Sequence, residues 1–592
     1  MAGFHSPARS LTRGHPGAGI AAAGTIVAAA AVLGTVIAVA NRGFDLTDEA
    51  YYLLSIEAPA AYRMTSTLFG YALHPLHVLL GGSVTALRIV GLAVLAACGA
   101  AAAGSFLTLR RTPDEALPAL SRAAVVAAGA ALPAMYYGFW LPTPSYNLLV
   151  LAAALLLLPA IVLLADRTRG PSLPAALAAL AGLIAAMAKP PAAAAFAALY
   201  LAATVLQLRE PRRIGIQLAF AFGFTAAGVA ALAALLPLET VWAQTRAYIE
   251  MHGAAPPAGR GAMADLLVFL VHPRGWPFVA ALIAAALAAQ AERSGWSERT
   301  RRRIAGLALA AVAAAAALIV GFPVYPALGP GMAAIAFAAI ALGLLGGTDR
   351  RSAFALALAA LLPLAAAIGT TNDTVSQTSL YAGVLGLVAL AAAMAARRNG
   401  AVAVVALCLV LVTGSALWKG LAKPYRLAAP IWRQTEPVEI GTRGERLKLD
   451  PGAAAFVRSL RDGAKRRGFC NGDPVIDLSG ELPGIAVLLG GGAPGFPWRS
   501  AAILSPSVWP AGSSPASIRR REAAPGSSLP RAVSPFRQRS SPRSASISPA
   551  HTTLPSTAAT RSMARRCAST DRAPRTVCPA DGEPMRDLRS LT

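Results

Sequence analysis

The chain has 592 residues, 56% of them hydrophobic and only 14% charged, with a mean hydropathy of +0.55. Water-soluble domains carry about 25% charged residues, so the composition excludes an ordinary soluble enzyme and points into a bilayer. The formal charge of +25 does not imply a nucleic-acid partner: fifteen arginines follow Trp498, and most of the others stand in short loops between apolar runs, where membrane topology accounts for them.

Residues 1–17 carry Arg9 and Arg13 ahead of the first apolar run and resemble the basic start of a signal peptide. No convincing cleavage site precedes Asp45, so the run is expected to stay as an uncleaved first span and signal anchor. Apolar runs then recur at spanning length, many built from the helix formers Ala and Leu, and inside a bilayer only helices or closed barrels satisfy the backbone. Thirteen spans are expected, near 18–40, 84–108, 121–140, 148–165, 172–188, 191–208, 214–237, 275–291, 304–322, 329–347, 352–369, 379–396 and 401–418. The fold class is therefore an all-α polytopic membrane protein.

Every second loop is basic: Arg110-Arg111, Arg167 with Arg169, Arg209 with Arg212-Arg213, Arg299 with Arg301–Arg303, Arg350-Arg351 and Arg397-Arg398. The positive-inside rule assigns these loops and the N-terminus to the cytoplasm of a plasma (inner) membrane and sends the alternate loops outward. Residues 18–418 form the membrane domain. Residues 419–498 follow as a small extracytoplasmic α/β domain, with PGAAAFVRSLRDGAKRRG as an amphipathic helix and DPVIDL as a short strand. From 499 to 592 the chain is rich in Ser, Pro and Arg without periodicity, and two readings stand for it: a disordered basic tail, or out-of-frame translation of a GC-rich gene, since only five of the 53 basic residues are lysine.

The outward loops hold the residues with chemical potential. GFDLTDEAYY at 43–52 sets Asp48 and Glu49, followed by Tyr51 and Tyr52, directly beyond the first span; as a plain solvated loop it would need no function, but acid concentrated there can also serve one. Arg63 lies in the same loop. Arg88 stands near the outer end of the second span, where an arginine either snorkels or meets an anion. Tyr146 and Asn147 close the short loop FWLPTPSYN, Lys189 precedes two prolines at the outward end of a span, and Asn372 with Asp373 joins the same face. His74 and His77 could share a helical face as metal ligands, but the favoured reading is an incidental pair on a juxtamembrane helix. Asp477 and Glu481 read as a surface loop. No cofactor motif, CxxC pair or Cys/His cluster is present, and no divalent-cation site is indicated.

An uncleaved first span, an outward acidic pair followed by tyrosine, and an arginine at the next span together resemble the GT-C class of polytopic glycosyltransferases. Within it the likeness is to bacterial relatives of protein mannosyltransferases and lipid A aminoarabinose transferases. It covers most of residues 18–420 and rests on DEAYY at 48–52, Arg88, TPSYN and Lys189-Pro190. The outward domain is small for that class, and the second carboxylate is Glu49 where some members have Asp. The resemblance implies transfer of a sugar from a polyprenyl-phosphate donor held among membrane lipids to an extracytoplasmic acceptor. Asp48 would then be the base, Glu49 would position the acceptor or an ion, Tyr51, Tyr52 and Tyr146 would line the substrate site, and Lys189, Arg88 and Arg63 would face the lipid phosphate. The competing expectations are a transporter or lipid flippase, and a non-catalytic membrane assembly protein.

Overall fold

The structure, a computed structural model, describes residues 16–62, 64–107, 116–164, 170–252, 262–369, 372–396, 399–441, 444–477 and 482–493. Arg63, Glu481 and everything from residue 494 onward, including the whole of the expected tail, lie outside them. The chain divides into two units, residues 1–462 with 471–501 and residues 463–470 with 502–592. Of the second unit only 463–470 is described.

Helices dominate the first unit. α1 (Pro16–Ala38) leads to the short polar-edged α2 (Asp48–Glu57) and α3 (Phe69–Leu79), then α4 (Val84–Phe106), α5 (Ala119–Ala131) and α6 (Tyr146–Leu163). α7 (Ser172–Ala188), α8 (Pro190–Leu208), α9 (Pro211–Leu235), α10 (Leu238–His252) and α11 (Ala262–Val271) follow. α12 (Trp276–Ser294), α13 (Glu298–Gly321), α14 (Val324–Leu345), α15 (Arg350–Ala359), α16 (Leu362–Ala367), α17 (Thr374–Gln377), α18 (Ala382–Ala395) and α19 (Asn399–Ala422) complete the bundle.

Twelve helical segments among the described residues are long and apolar enough to cross a membrane. The remaining expected span is α7, an apolar helix of 17 residues. Pro190 and Pro191, which lack the N–H needed to continue α7, instead occupy the first turn of α8, where that N–H would have no partner. The proteinaceous core is concentrated in α6, α14 and α18. By contrast, α9 leaves Phe222 and Leu235 at 76% and 80% exposure, as a helix facing acyl chains would.

Small residues set the closest helix approach. A Cβ built on Gly99 in α4 would fall 2.2 Å from the carbonyl oxygen of Gly129 in α5, so this crossing is possible only without a side chain. Gly99→Ala is accordingly expected to lower apparent thermal stability in detergent, by an overpacking penalty of about 1–3 kcal/mol. Gly104→Ala on the same helix, where a Cβ meets nothing within 4 Å, is expected to leave it unchanged.

Beyond α19 the chain forms an antiparallel hairpin, β1 (Glu436–Ile440) with β2 (Glu445–Leu449), in register Val438 opposite Leu447. It is followed by α20 (Pro451–Arg466) and α21 (Gly484–Leu489). α20 is the expected amphipathic helix, burying Ala454 and Val457. Among the described residues DPVIDL differs from expectation: it makes a single parallel bridge, Pro474 to Gly492, held by the Val475 N–H on the Gly492 carbonyl at 2.8 Å and the Gly492 N–H on the Asp473 carbonyl at 3.1 Å.

The hairpin packs on the segment that follows α1. Val438, Ile440, Leu447 and Leu449 share one apolar cluster with Phe44, Leu53, Leu54 and Val84, so the hairpin is built onto the acidic loop. The Gly43 N–H donates to the Lys448 carbonyl and the Lys448 N–H to the Asn41 carbonyl, both at 2.8 Å. Glu445 also caps α4. Its carboxylate accepts from Ser83 Oγ at 3.1 Å, from the Thr85 N–H at 2.8 Å and from the Val84 N–H, placing a negative charge on the positive end of a spanning helix.

Candidate functional site

The stretch GFDLTDEAYY folds as a reciprocal cap followed by α2. The Asp45 carboxylate accepts from Thr47 Oγ1 at 2.7 Å and from the Glu49 N–H at 3.3 Å, while the Asp45 N–H donates to Glu49 Oε2 at 3.1 Å. This is the logic of a capping box with one extra residue of spacing. It brings the three acids of the loop into one turn while giving each a different environment.

Glu49 is buried at 1% exposure. Its Oε1 accepts from Arg88 Nη2 at 2.8 Å, from Thr143 Oγ1 at 2.5 Å and from the Thr143 N–H at 3.1 Å. Arg88, also at 1%, donates further to the carbonyls of Ala40 at 2.7 Å and Gly43 at 2.9 Å, and through Nε to Thr143 Oγ1 at 3.2 Å. The arginine expected at a lipid phosphate thus fastens the exit of α1, the start of α2 and the TPSYN loop together. A buried pair of this kind is tolerated because nearly every donor and acceptor is matched.

Asp48 points the other way. Its side chain retains 23% exposure and lies 3.5 Å from Nη1 of Arg426, a side chain that is 45% exposed. Arg426 also donates to Thr47 Oγ1 and stacks on the Tyr425 ring at 4.8 Å. Burial pushes the Asp48 carboxyl above its usual value, and Arg426 and a hydrogen bond from Tyr425 pull it partly back. Arg426 holds φ at 55°, a left-handed conformation that costs a non-glycine residue about 1 kcal/mol and aims its side chain at the loop.

The tyrosines form the wall behind Asp48. Tyr52 meets Tyr51, Phe69 and Tyr146 in edge-to-face contacts with centroids 5.8–5.9 Å apart. Tyr51 and Tyr52 are buried; Tyr146 is half-buried. Tyr381 Oη donates to Asn147 Oδ1 at 2.9 Å, anchoring the end of the TPSYN loop. Lys189 follows α7, whose Met187 carbonyl accepts from the Leu68 N–H at 2.7 Å. Its ammonium is buried and donates to the carbonyls of Ala366 and Ala367 at 3.1 and 3.3 Å, capping the C-terminal end of α16. The structure therefore brings together Asp48, Glu49, Arg88, Tyr51, Tyr52 and Tyr146, and commits Lys189 and Arg88 to protein acceptors.

Asn372 and Asp373 border a different cavity, treated below. His74 uses Nδ1 against the Ile56 carbonyl at 2.8 Å, pinning α3 to α2, and no group of three or more metal-ligating side chains occurs among the described residues. Tyr425 and Arg426 were missed in the sequence; KPYR after a spanning helix was their only local signal. Gln244 was missed as well. Its amide donates to the carbonyls of Pro59 at 2.9 Å and Tyr62 at 2.5 Å and accepts from Tyr71 Oη at 2.9 Å, tying α10 over the loop that contains Tyr62.

Asp45 gives the site a pH signature. Burial raises its carboxyl from 3.8 to about 6, with Thr47 opposing and the neighbouring Glu49 and Asp48 charges adding to the rise. An acid whose pKa is raised on folding binds its proton more tightly folded than unfolded, so its ionisation cost appears as pH climbs from about 4 to about 6 and is complete above that. The shift corresponds to about 3 kcal/mol. Asp45→Asn, which keeps an acceptor for Thr47, is expected to be more stable than the parent at pH 7.5 and to lose that advantage toward pH 4.5. Melting of both proteins across that range checks it; a difference independent of pH would refute the assignment.

Neither a protein-family model, nor a curated protein, nor a solved structure matches this chain.

Proposed function

We propose that the protein is a membrane glycosyltransferase of GT-C type that moves a sugar from a polyprenyl-phosphate donor to an extracytoplasmic acceptor, with Asp48 as general base. The observation that carries this reading is the division of labour within one turn: Glu49 and Asp45 are locked into the scaffold, while Asp48 alone of the three keeps a partly exposed carboxylate beside a half-exposed arginine.

In the proposed step the acceptor hydroxyl oxygen bonds to the anomeric carbon as its proton passes to Asp48. The bond from that carbon to the phosphate oxygen breaks with its electrons, releasing the lipid phosphate. A carboxylate whose proton affinity is raised by burial is a better base there. Arg426, rather than Arg88 or Lys189, is the cation whose surroundings leave it able to meet a departing phosphate. The Glu49–Arg88 pair holds α2 in place and touches no substrate. The apolar helices support a carrier that stays in the bilayer, and the hairpin, with its cluster around Phe44 and Val438, gives the acidic loop an outward roof.

The test uses purified full-length protein in vesicles, supplied with a panel of polyprenyl-phosphate sugars and with acceptor glycans, lipids and peptides. Sugar transfer and stoichiometric release of lipid phosphate are expected with one donor. Movement of an unmodified lipid across the bilayer without release would instead establish a flippase, and neither activity with any member of the panel would leave an assembly role as the better reading.

A further inference from the structure

A cavity of about 410 Å³ opens at the ends of α11 and α17, and its lining shares no residue with the acidic loop. Its charged walls are Asp265, His272, Arg274 and Asp373, joined by Asn372 and Ser376. Arg274 lies over the Phe322 ring at 5.0 Å and has no carboxylate partner among the described residues. His272 Nδ1 accepts the Arg274 N–H at 3.1 Å, which leaves Nε2 as the ring donor. The two acids each commit one oxygen to a backbone N–H at 2.9 Å, Asp265 to Thr374 and Asp373 to Ser376.

Phe269 and Val375 are common walls of this cavity and of an adjoining crevice of about 70 Å³, whose other sides include Phe278, Pro330, Phe337 and Leu364. The polar part stands at the ends of the spanning segments Pro273–Ser294, Val324–Leu345 and Thr374–Ala395, and the crevice runs between them. Head and tail of an amphiphile would each find a matching surface.

The charges narrow the headgroup. Two carboxylates face one guanidinium, so a phosphate alone would meet net repulsion and an amine alone would leave Arg274 uncompensated. We propose that this is a binding site for a zwitterionic phospholipid whose headgroup carries a phosphate and a primary amine. The phosphate sits at Arg274 and the His272 Nε2 hydrogen, the ammonium donates to Asp265 and Asp373, and the start of one chain enters the crevice. A primary amine has three hydrogens to donate; a trimethylated one has none. The site is independent of the transfer reaction.

The test titrates delipidated full-length protein with short-chain phosphatidylethanolamine, phosphatidylcholine, phosphatidylglycerol and phosphatidic acid, reading bound lipid by native mass spectrometry. Saturable binding of phosphatidylethanolamine at least tenfold tighter than of the other three is expected. Arg274→Ala and Asp373→Asn should each weaken it at least tenfold, with Arg274→Lys retaining most of it. Equal binding of phosphatidylglycerol or phosphatidic acid by the parent protein would overturn the proposal. So would folded Arg274→Ala and Asp373→Asn proteins that bind like the parent; should either fail to fold, the parent's preference among the four lipids decides.

Discussion

Glu49→Ala is expected to be the most damaging single substitution in the acidic loop, lowering stability by about 3–5 kcal/mol and sharply reducing recovery of folded protein from membranes. The cost comes mainly from what is left behind. Arg88, at 1% exposure, would keep its charge with its contacting carboxylate gone, and the N–H groups of Asp45 and Thr143 would lose their acceptor. Glu49→Gln is the informative partner variant: its amide oxygen can still accept from Arg88, but its NH₂ would confront a donor. An intermediate loss, of about 2 kcal/mol, is expected.

Removing both charges, as Glu49→Leu with Arg88→Met, should be less damaging than the sum of the two single changes, because no unpaired ion remains in the core. Recovery is expected to be incomplete. The carbonyls of Ala40 and Gly43 accept from Arg88, and methionine offers them nothing. Apparent melting temperatures of the four proteins in one detergent supply the cycle. Strict additivity would mean that the two residues act independently and that the buried pair does not organise the loop.

The helical architecture was legible because apolar runs of spanning length and their breaks are local signals. Lys189-Pro190-Pro191 marked the division of α7 from α8 in the sequence itself, and the expected amphipathic helix begins where Pro451 begins α20. The acidic loop was legible as a place but not as an arrangement. Asp48 and Glu49 are neighbours in the chain, yet consecutive helical residues point about 100° apart, and only the position of Arg88 and Thr143 decides which of the two is buried. The hairpin has a local signal, since EPVEI and ERLKL alternate polar and apolar residues about a glycine-bearing turn, whereas DPVIDL makes only one bridge among the described residues. Arg426 could not have been assigned, since a contact across 378 residues of sequence to Asp48 has no local trace.

Asp48→Asn carries the largest expected effect on activity, a loss of at least about a hundredfold in turnover, or about 2.7 kcal/mol of barrier, with little change in melting temperature. The pairing of those outcomes separates Asp48 from Glu49. Asparagine preserves size and the contact with Tyr425 while removing the capacity to take a proton, and the partly exposed site tolerates the change. Arg426→Met supplies the second half of the argument through pH. Arg426 lowers the Asp48 carboxyl against the upward push of burial, so its removal must raise that pKa. The acid-side limb of the rate profile, where the base becomes protonated, should therefore move to higher pH in Arg426→Met, and turnover at saturating donor should fall as a cation beside the leaving phosphate is lost. If Arg426→Met lowers the rate without moving the limb, the titrating base is not Asp48. If Asp48→Asn retains parental turnover, the acidic loop is scaffold throughout and the base must be sought elsewhere.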